Sequence, residues 1–125
     1  MALSFSSGEE KKSFWESPIR SCDASLFSKR VWLAILRIPR GKVATYQTIA
    51  SLAGSPLASR AVGNACNANP FAPHVPCHRV VASNGTLGGY AHGLAKKIAL
   101  LESEGIVVRK NKIVDFENVV MKNTD

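Results

Sequence analysis

The apolar residues of this chain recur at helical spacing in short segments that glycine and proline separate. The first segment follows Ser25 or Ser28, either of which can cap a helix, and it ends before Pro39. Thr45 can cap a second helix, predicted over Tyr46–Ala53. The pattern therefore predicts two short helices in this part of the chain.

A third helix is predicted over Pro56–Asn67, with Ser55 as its cap and the proline in its first turn. Its inward-facing residues are predicted to be Leu57, Ala61, Val62 and Ala65. Two short helices joined by a tight turn at Gly54 form the helix-turn-helix arrangement, whose second helix enters a DNA groove. Small residues dominate the third helix and Arg60 is its one long cation, so it can lie close to a backbone or in a narrow groove.

The rest of the chain alternates loops with short elements. Residues 67–76 contain three prolines and predict a rigid extended connector. The elements predicted after it are a strand over 80–82, a turn over 83–86, a glycine-rich loop over 88–93, a helix over Leu94–Glu104 and a hairpin over 106–116.

The two ends of the chain differ from this middle part. Residues 1–24 are polar and serine-rich and predict an extended or partly ordered arm, which Phe14 and Trp15 would dock on the domain. Residues 118–125 are predicted to be a tail. The expected fold is thus α+β: one small, mostly helical domain over residues 25–117, with a winged-helix-like helix-turn-helix and short strands.

The net charge of +7 is unevenly distributed. Between Asp23 and Glu102 there is no carboxylate, although nine lysines and arginines fall in that interval. A solvated surface normally mixes both signs, so this bias indicates a polyanionic partner, with nucleic acid as the first candidate. A general solubility charge is the alternative.

Other function classes find little support in the sequence. No apolar run approaches the length of a membrane span, and no signal-peptide pattern precedes residue 12. Three widely spaced cysteines without a Cys-x-x-Cys pair argue against a disulfide framework and favour a reducing compartment. We therefore expect an intracellular protein, cytoplasmic in a prokaryote or nuclear in a eukaryote.

The segment Pro76–Val81 carries the candidate chemistry. Cys77 is followed at once by His78 and Arg79. The thiolate is the nucleophilic form of cysteine, a neighbouring cation favours that form, and an imidazole can take the thiol proton. Because adjacent residues of an extended segment point to opposite faces, either the chain turns sharply here or a water molecule carries the proton.

These features resemble the O6-alkylguanine-DNA alkyltransferase family, over roughly residues 25–105. The block Pro76-Cys77-His78-Arg79-Val80 is highly specific for that family. The other matching motifs, at matching spacing, are Tyr46-Gln47, Arg60-Ala61-Val62-Gly63, Asn69-Pro70, Gly93-Leu94-Ala95 and Glu104-Gly105.

The resemblance implies a catalytic role for five residues. Cys77 would accept the alkyl group from O6 of a flipped guanine, once per molecule, because the resulting thioether has no internal route back to the thiol. His78 would act as base through water and Glu104 would orient it. Asn69 would brace the turn before the active site, and Tyr46 would press on the backbone phosphate during flipping and donate to the departing guanine.

The resemblance also implies binding roles. Arg60 would fill the space that the guanine vacates, because chemistry on a stacked base requires extrusion of that base. The carbonyls of Cys77 and Val80 would accept from the guanine amino group, and the amide of Ala91 would approach O6. The whole implied DNA-binding set is Tyr46, Gln47, Arg60, Ala61, Gly63, Asn64 and Asn67. The implied substrate-binding set is Tyr46, Cys77, Val80, Tyr90 and Ala91.

The chain departs from the family pattern in two places. Only about two dozen polar residues precede the match, whereas many family members carry a further N-terminal domain. In the loop, Ala91-His92 replaces the commoner Ser-Gly, and the bulky His92 ring is expected to restrict larger alkyl groups.

Three other functions are considered. One is a non-enzymatic sensor of alkylated DNA, against which the presence of Cys77 argues. Another is a helix-turn-helix regulator, whose recognition helix would carry more base-reading side chains than Arg60 and a few Asn and Ser. The last is a zinc site at His74, Cys77 and His78, for which a second cysteine pair is missing. The expected partner is duplex DNA containing O6-alkylguanine, bound by a monomer without a cofactor, a metal or a membrane.

Overall fold

The computed structural model describes residues 8–122, with side chains from residue 12 onward. Its helices are α1 (Gly8–Ser21), α2 (Leu26–Ile35), α3 (Tyr46–Leu52), α4 (Ser59–Asn67), α5 (Leu94–Ser103) and α6 (Phe116–Val119). Its strands are β1 (Ala44–Thr45), β2 (Val80–Val81), β3 (Val108–Arg109) and β4 (Lys112–Ile113). The expected α+β class, mostly helical with short strands, is confirmed.

The helix-turn-helix is formed by α3 and α4. The Thr45 hydroxyl accepts from the amide of Thr48 at 3.0 Å and caps α3, as the sequence predicts. The indole of Trp32 in α2 donates to the carbonyl of Ala65 in α4 at 2.9 Å. This buried bond fixes α4 against α2, so the opposite face of α4 stays exposed.

The short strands bring distant parts of the chain to the site. β1 pairs in parallel with β2, so the residues after Cys77 lie beside the start of α3. β3 pairs with β4 in an antiparallel hairpin around Lys110 and Asn111, which both have positive φ. This confirms the predicted hairpin.

The core consists of two clusters of buried side chains. The larger lies among α1, α2, α3 and α4 and includes Ile19, Trp32, Ile35, Ile49 and Cys77. The smaller lies under α5 and the hairpin and includes Val43, Val81, Leu87, Leu101 and Ile113. The segment around β2 joins them, because Val80 belongs to one cluster and Val81 to the other.

The predicted N-terminal arm is instead largely helical. Trp15 and Ile19 are one helical turn apart in α1, and Ile19 is fully buried in the larger core. The serine-rich composition gives this segment little helix propensity of its own. The helix is stabilised instead by packing of these two apolar residues, which their helical spacing places on one face. The predicted docking of Trp15 on the domain is confirmed, and residues 1–7 lie outside the described part.

The predicted C-terminal tail also packs on the domain. Val43 donates its amide to the carbonyl of Val119 at 2.9 Å, and its own carbonyl accepts from the amide of Met121 at 2.6 Å. Met121 is 7% exposed. The tail prediction is therefore wrong as far as residue 121, and residues 123–125 lie outside the described part.

Two predictions between residues 55 and 76 are wrong in detail. α4 begins at Ser59 and not at Pro56, and Leu57 is fully exposed although we predicted it to face inward. Residues 56 and 57 instead form the turn, where the carbonyl of Ser55 accepts from the amide of Ala58 at 2.9 Å. The connector over 67–76 is a series of turns and not an extended segment, because internal hydrogen bonds fold it back on itself.

Candidate active site

Cys77 lies in a single 3₁₀ turn, Cys77–Arg79, that follows Pro76. The amide of Arg79 donates to the carbonyl of Pro76 at 2.9 Å, and the amide of Cys77 donates to Val75 at 2.8 Å. Cys77 is 3% exposed. The chain therefore turns sharply at Cys77, which is one of the two arrangements that the sequence left open.

Glu104 connects the next two side chains of this turn. Its Oε2 lies 3.1 Å from Nε2 of His78. Arg79 donates to both carboxylate oxygens, from Nε at 2.9 Å and from Nη2 at 2.7 Å, and its Nη1 donates to the carbonyl of Ile38 at 2.7 Å. The predicted His78–Glu104 contact therefore exists, and Arg79 holds the carboxylate from the other side.

This arrangement keeps Glu104 ionised. Burial alone would raise the pKa of its carboxyl, but hydrogen bonds from His78 and Arg79 and their charges outweigh burial and lower the pKa to about 2. With Nε2 of His78 directed to a carboxylate, the neutral ring carries its proton there and leaves Nδ1 as an acceptor. Nδ1 is buried and has no hydrogen-bond partner among the described residues, so it is the atom available to receive a proton.

Asn69 braces the connector that leads to Cys77. Its Nδ2 donates to the carbonyl of Val75 at 2.9 Å, and its Oδ1 accepts from the amide of Phe71 at 2.9 Å. Burial raises the pKa of the Cys77 thiol, and a hydrogen bond from the Asn69 side chain offsets part of that rise. Asn69 thus bonds to both ends of this segment, and its role in positioning Cys77 stays a prediction.

A cavity of about 180 Å³ opens at Cys77. It lies between α4, the start of α3 and the glycine-rich loop. Its lining residues are Tyr46, Gly63, Asn64, Cys66, Asn67, Cys77, Gly89 and Tyr90. The structure therefore brings six predicted residues to one concave site, namely Tyr46, Gly63, Asn64, Asn67, Cys77 and Tyr90.

The glycine-rich loop passes very close to Tyr46. A Cβ atom on Gly88, whose φ is +69°, would lie 2.6 Å from the Tyr46 hydroxyl oxygen. Any other residue would displace the ring, so Gly88 is required by this approach. Burial, and to a lesser extent negative charge on Cys66 and Cys77, raise the pKa of Tyr46 to about 12, so its hydroxyl is a donor at neutral pH.

The electrostatics of Cys77 differ from the simplest sequence interpretation. Burial raises the pKa of its thiol, while the Asn69 hydrogen bond and the positive charge of Lys97 lower it. Arg79, the cation adjacent in sequence, is directed to Glu104 and Ile38 instead. The nearby cation that acts on this thiol is thus Lys97.

Lys97 is fully buried on α5. Its ammonium donates to the carbonyls of Val80 at 2.8 Å, Leu87 at 2.5 Å and Gly89 at 3.0 Å. Burial lowers the pKa of this amine to about 8, against an opposing influence of Cys66 and Cys77. Three acceptors match the three donors of an ammonium, so the group is held as a cation in a cage of carbonyl dipoles.

Lys97 and Cys66 are site residues that the sequence prediction missed. Lys97 lies three residues after Leu94 and four before Leu101, in the apolar stripe of its helix. A lysine in such a stripe is the sequence signal that could have revealed this buried cation. Cys66 lines the cavity with Cys77; burial, and then the Cys77 charge, raise its thiol pKa to about 12. No local sequence pattern indicates that Cys66 lies beside Cys77, and only the tertiary structure shows it.

The remaining predicted residues are not part of the cavity lining. Gln47 and Arg60 are exposed and Ala61 is half-buried, all outside its lining. The carbonyl of Val80 already accepts from Lys97, which leaves one lone pair for another donor. Ala91 is exposed in the loop, and next to it the rings of Tyr90 and His92 meet edge-to-face at 5.4 Å.

Two other kinds of site are not found within the described residues. No three His, Cys, Asp or Glu side chains there cluster closely enough to hold a metal ion. None of the helices in that part of the chain is both long and apolar enough to cross a membrane.

The chain is similar in sequence to curated proteins that share one name. The chain is 47% identical over 100 residues to the methylated-DNA–protein-cysteine methyltransferase of Methanosarcina acetivorans, covering 75% of this chain and 64% of the relative. It is 51% identical over 78 residues to that of Mycobacterium leprae, covering 62% and 47%. The chain thus spans less than two thirds of the length of these relatives.

Solved structures also match. Mycobacterium tuberculosis OGT in complex with DNA superposes with a TM-score of 0.65 at 48% identity, over 66% of this chain and 51% of that one. S. pombe Atl1 in complex with damaged DNA containing O6-carboxymethylguanine superposes with a TM-score of 0.70 at 30% identity, over 81% and 99%.

A family model described as 6-O-methylguanine DNA methyltransferase, DNA binding domain, matches residues 26–106. This match covers more than half of the chain and includes α4, the Cys77 turn and Glu104. The chain therefore belongs to the family of the 6-O-methylguanine DNA methyltransferase DNA-binding domain.

Proposed function

We propose that this chain repairs DNA by stoichiometric transfer of an alkyl group from O6 of guanine in duplex DNA to Cys77. The observation that carries the proposal is the position of Cys77. It lines a cavity beside the exposed face of α4 and is followed directly by the His78–Glu104 pair. A nucleophile, its base and a helix for the DNA groove thus lie within one small domain, as chemistry on a flipped base requires.

The transfer step uses groups already in place. The Cys77 proton passes through a water molecule to Nδ1 of His78, and Glu104 stabilises the imidazolium that forms. The thiolate attacks the alkyl carbon on O6, an S–C bond forms, and the C–O6 bond breaks with its electron pair on the guanine. The proton on His78 returns through water to that guanine, and Tyr46 donates a hydrogen bond to it. The thioether on Cys77 persists, so each molecule acts once.

DNA binding is assigned to the exposed face of α4. Arg60, Asn64 and Asn67 are exposed on it, and Gly63 and Ala61 keep its profile low. The cavity opens beside this face, so a guanine rotated out of a duplex bound there would reach Cys77. We assign Arg60 to the gap that the guanine leaves, where it offsets part of the cost of flipping.

A second candidate is binding of alkylated DNA without transfer. It is favoured by the match to S. pombe Atl1, whose length is covered almost completely, at 99%. Cys77 in the cavity favours transfer over this alternative, because a binding protein has no need of a buried thiol with a positioned base.

The test is the intact mass of the chain after incubation with a duplex oligonucleotide containing O6-methylguanine. We expect a gain of one methyl group, located on the Cys77 peptide, and no gain in the Cys77→Ala variant. That variant should still bind the methylated duplex, because the contacts of α4 remain. Binding by the unsubstituted chain without any mass gain would favour the second candidate, and stoichiometric demethylation by Cys77→Ala would refute the nucleophile assignment.

A further inference from the structure

Residues 69–76 of the connector determine where Cys77 lies, because Cys77 directly follows them. Their internal bonds are few: those of Asn69 described above, and the amide of Val75 donating to the carbonyl of Phe71 at 3.1 Å. The connector packs on α2, where the rings of Phe71 and Trp32 meet edge-to-face at 5.9 Å.

Helix α1 contacts the same connector through Trp15. The Trp15 ring stacks on His74, with ring centroids 4.8 Å apart and an interplanar angle of 16°. It also contacts Phe71, with centroids 5.9 Å apart. Ile19, one turn further along α1, is fully buried and anchors the helix in the core. The connector thus contacts two tryptophans, one from α1 and one from α2.

We propose that α1 is a brace for the active-site connector and that Trp15, through its stack on His74, is a positioning residue for Cys77. This inference rests on the proposed function. Transfer requires the thiolate to be aligned with one carbon atom, and a displacement of about 1 Å far from the reacting atoms can cost about 100-fold in rate. The exposed face of α4 does not involve Trp15, so DNA binding should not depend on the brace.

The experiment compares Trp15→Ala, His74→Ala and the double variant with the unsubstituted chain. The single-turnover rate of transfer at saturating methylated duplex and the Kd for that duplex are measured for each. We expect each single variant to slow transfer about tenfold, with Kd changed less than about twofold. The double variant should be no slower than the slower single variant, because both substitutions remove the same stack.

Two controls make the result specific. Trp15→Phe, which keeps an aromatic ring, should restore most of the rate, and Leu26→Ala, which truncates a 64% exposed leucine of α2 away from the connector, should leave rate and Kd unchanged. His74 is exposed, so its variant tests the brace even if Trp15→Ala fails to fold.

Unchanged rates in the His74 variant, or rate losses that multiply in the double variant, would overturn the brace. Equal losses of rate and affinity would do so too, because they indicate general destabilisation. If the unsubstituted chain transfers no methyl group, the proposed function fails and the brace fails with it. If the unsubstituted chain transfers the methyl group and the variants transfer it equally fast, only the brace is overturned.

Discussion

The turn that carries Cys77 and the exposed face of α4 hold their side chains in opposite ways. In the turn, His78 and Arg79 are buried and both are bonded to Glu104. On α4, the side chains of Arg60, Asn64 and Asn67 are exposed, and no hydrogen bond from any of them is found within the described residues. Chemistry needs groups fixed before the substrate arrives, whereas a DNA-reading face can leave its side chains to be ordered by the partner.

This contrast has a consequence for mutations. Substitutions in the turn should change the rate of chemistry and its pH dependence, because they disturb fixed electrostatics. Substitutions on α4 should change the affinity for the duplex and the extrusion of the guanine from it. The four predictions below test this division, from the largest expected effect to the smallest.

Arg60→Ala should reduce the transfer rate from duplex DNA at saturation by about 30-fold, which corresponds to about 2 kcal/mol of the flipping cost. Reaction with the free base O6-methylguanine, which needs no flipping, should be nearly unaffected. The measurement is single-turnover transfer from both substrates. An unchanged rate at saturating duplex would eliminate the role in the vacated gap, whatever happens to affinity.

Lys97→Met should raise the pKa of Cys77 further, because a buried positive charge that favours the thiolate is removed. Thiolate-dependent alkylation of Cys77 by iodoacetamide, followed across pH by peptide mass, should slow about tenfold at neutral pH. The variant should also be less stable, since three carbonyls lose their donor.

The matched control for this prediction is Lys96→Met, which removes the exposed neighbouring lysine. Its alkylation profile should coincide with that of the unsubstituted chain. If both variants shifted the profile equally, the net charge of the domain, and not the buried cation, would be responsible.

Glu104→Gln should slow transfer about fivefold, since the imidazolium of His78 loses its carboxylate, while DNA affinity is retained. It should also alter acid stability. The folded-state pKa of Glu104, about 2, lies below its ordinary value of 4.5, so its stabilising contribution is complete above pH 4.5 and is lost as the pH falls toward 2.

Acid unfolding followed by circular dichroism tests this point. The loss of stability between pH 4.5 and 2 should be shallower in Glu104→Gln than in the unsubstituted chain. Glu102→Gln, which neutralises an exposed carboxylate two residues away, is the control and should change neither the transfer rate nor the loss of stability at acid pH. Identical transfer rates across pH in the Glu104 variant would contradict the relay.

The smallest effect concerns salt. Affinity for duplex DNA should fall steeply as salt rises, and Arg60→Ala should reduce the slope of log K against log salt by at most about 1, because one cation is removed from the interface. Salt-independent affinity would contradict the assignment of the basic surface to DNA.

Most local elements could be predicted from the sequence alone. Thr45 and Gly54 set the limits of α3, the proline before Cys77 indicated a special backbone, and Lys110–Asn111 indicated the hairpin turn. These signals are local, since a cap, a turn or a helical period depends on residues a few positions apart. The family motif likewise pointed to Cys77, His78, Asn69 and Glu104 before any contact among them was known.

The partners of the side chains were decided by the tertiary structure. Glu104 meets His78 across 26 residues, and Arg79 takes the same carboxylate although its position beside Cys77 suggested another use. Lys97 occupies an apolar stripe on α5, and only the fold shows that three carbonyls from two other segments enclose it. Such long-range contacts depend on how the elements pack, which no local pattern encodes.

The ends of the chain show the same limit. Composition predicted an arm and a tail, because serine-rich and polar segments seldom support structure by themselves. Trp15, Ile19 and Met121 nevertheless pack on the domain, since a few apolar side chains at the right spacing suffice when a complementary surface is available. The sequence by itself thus determined the local elements and the chemical groups, and the tertiary structure decided which groups meet, because burial in a shared core, and not local propensity, brings them together.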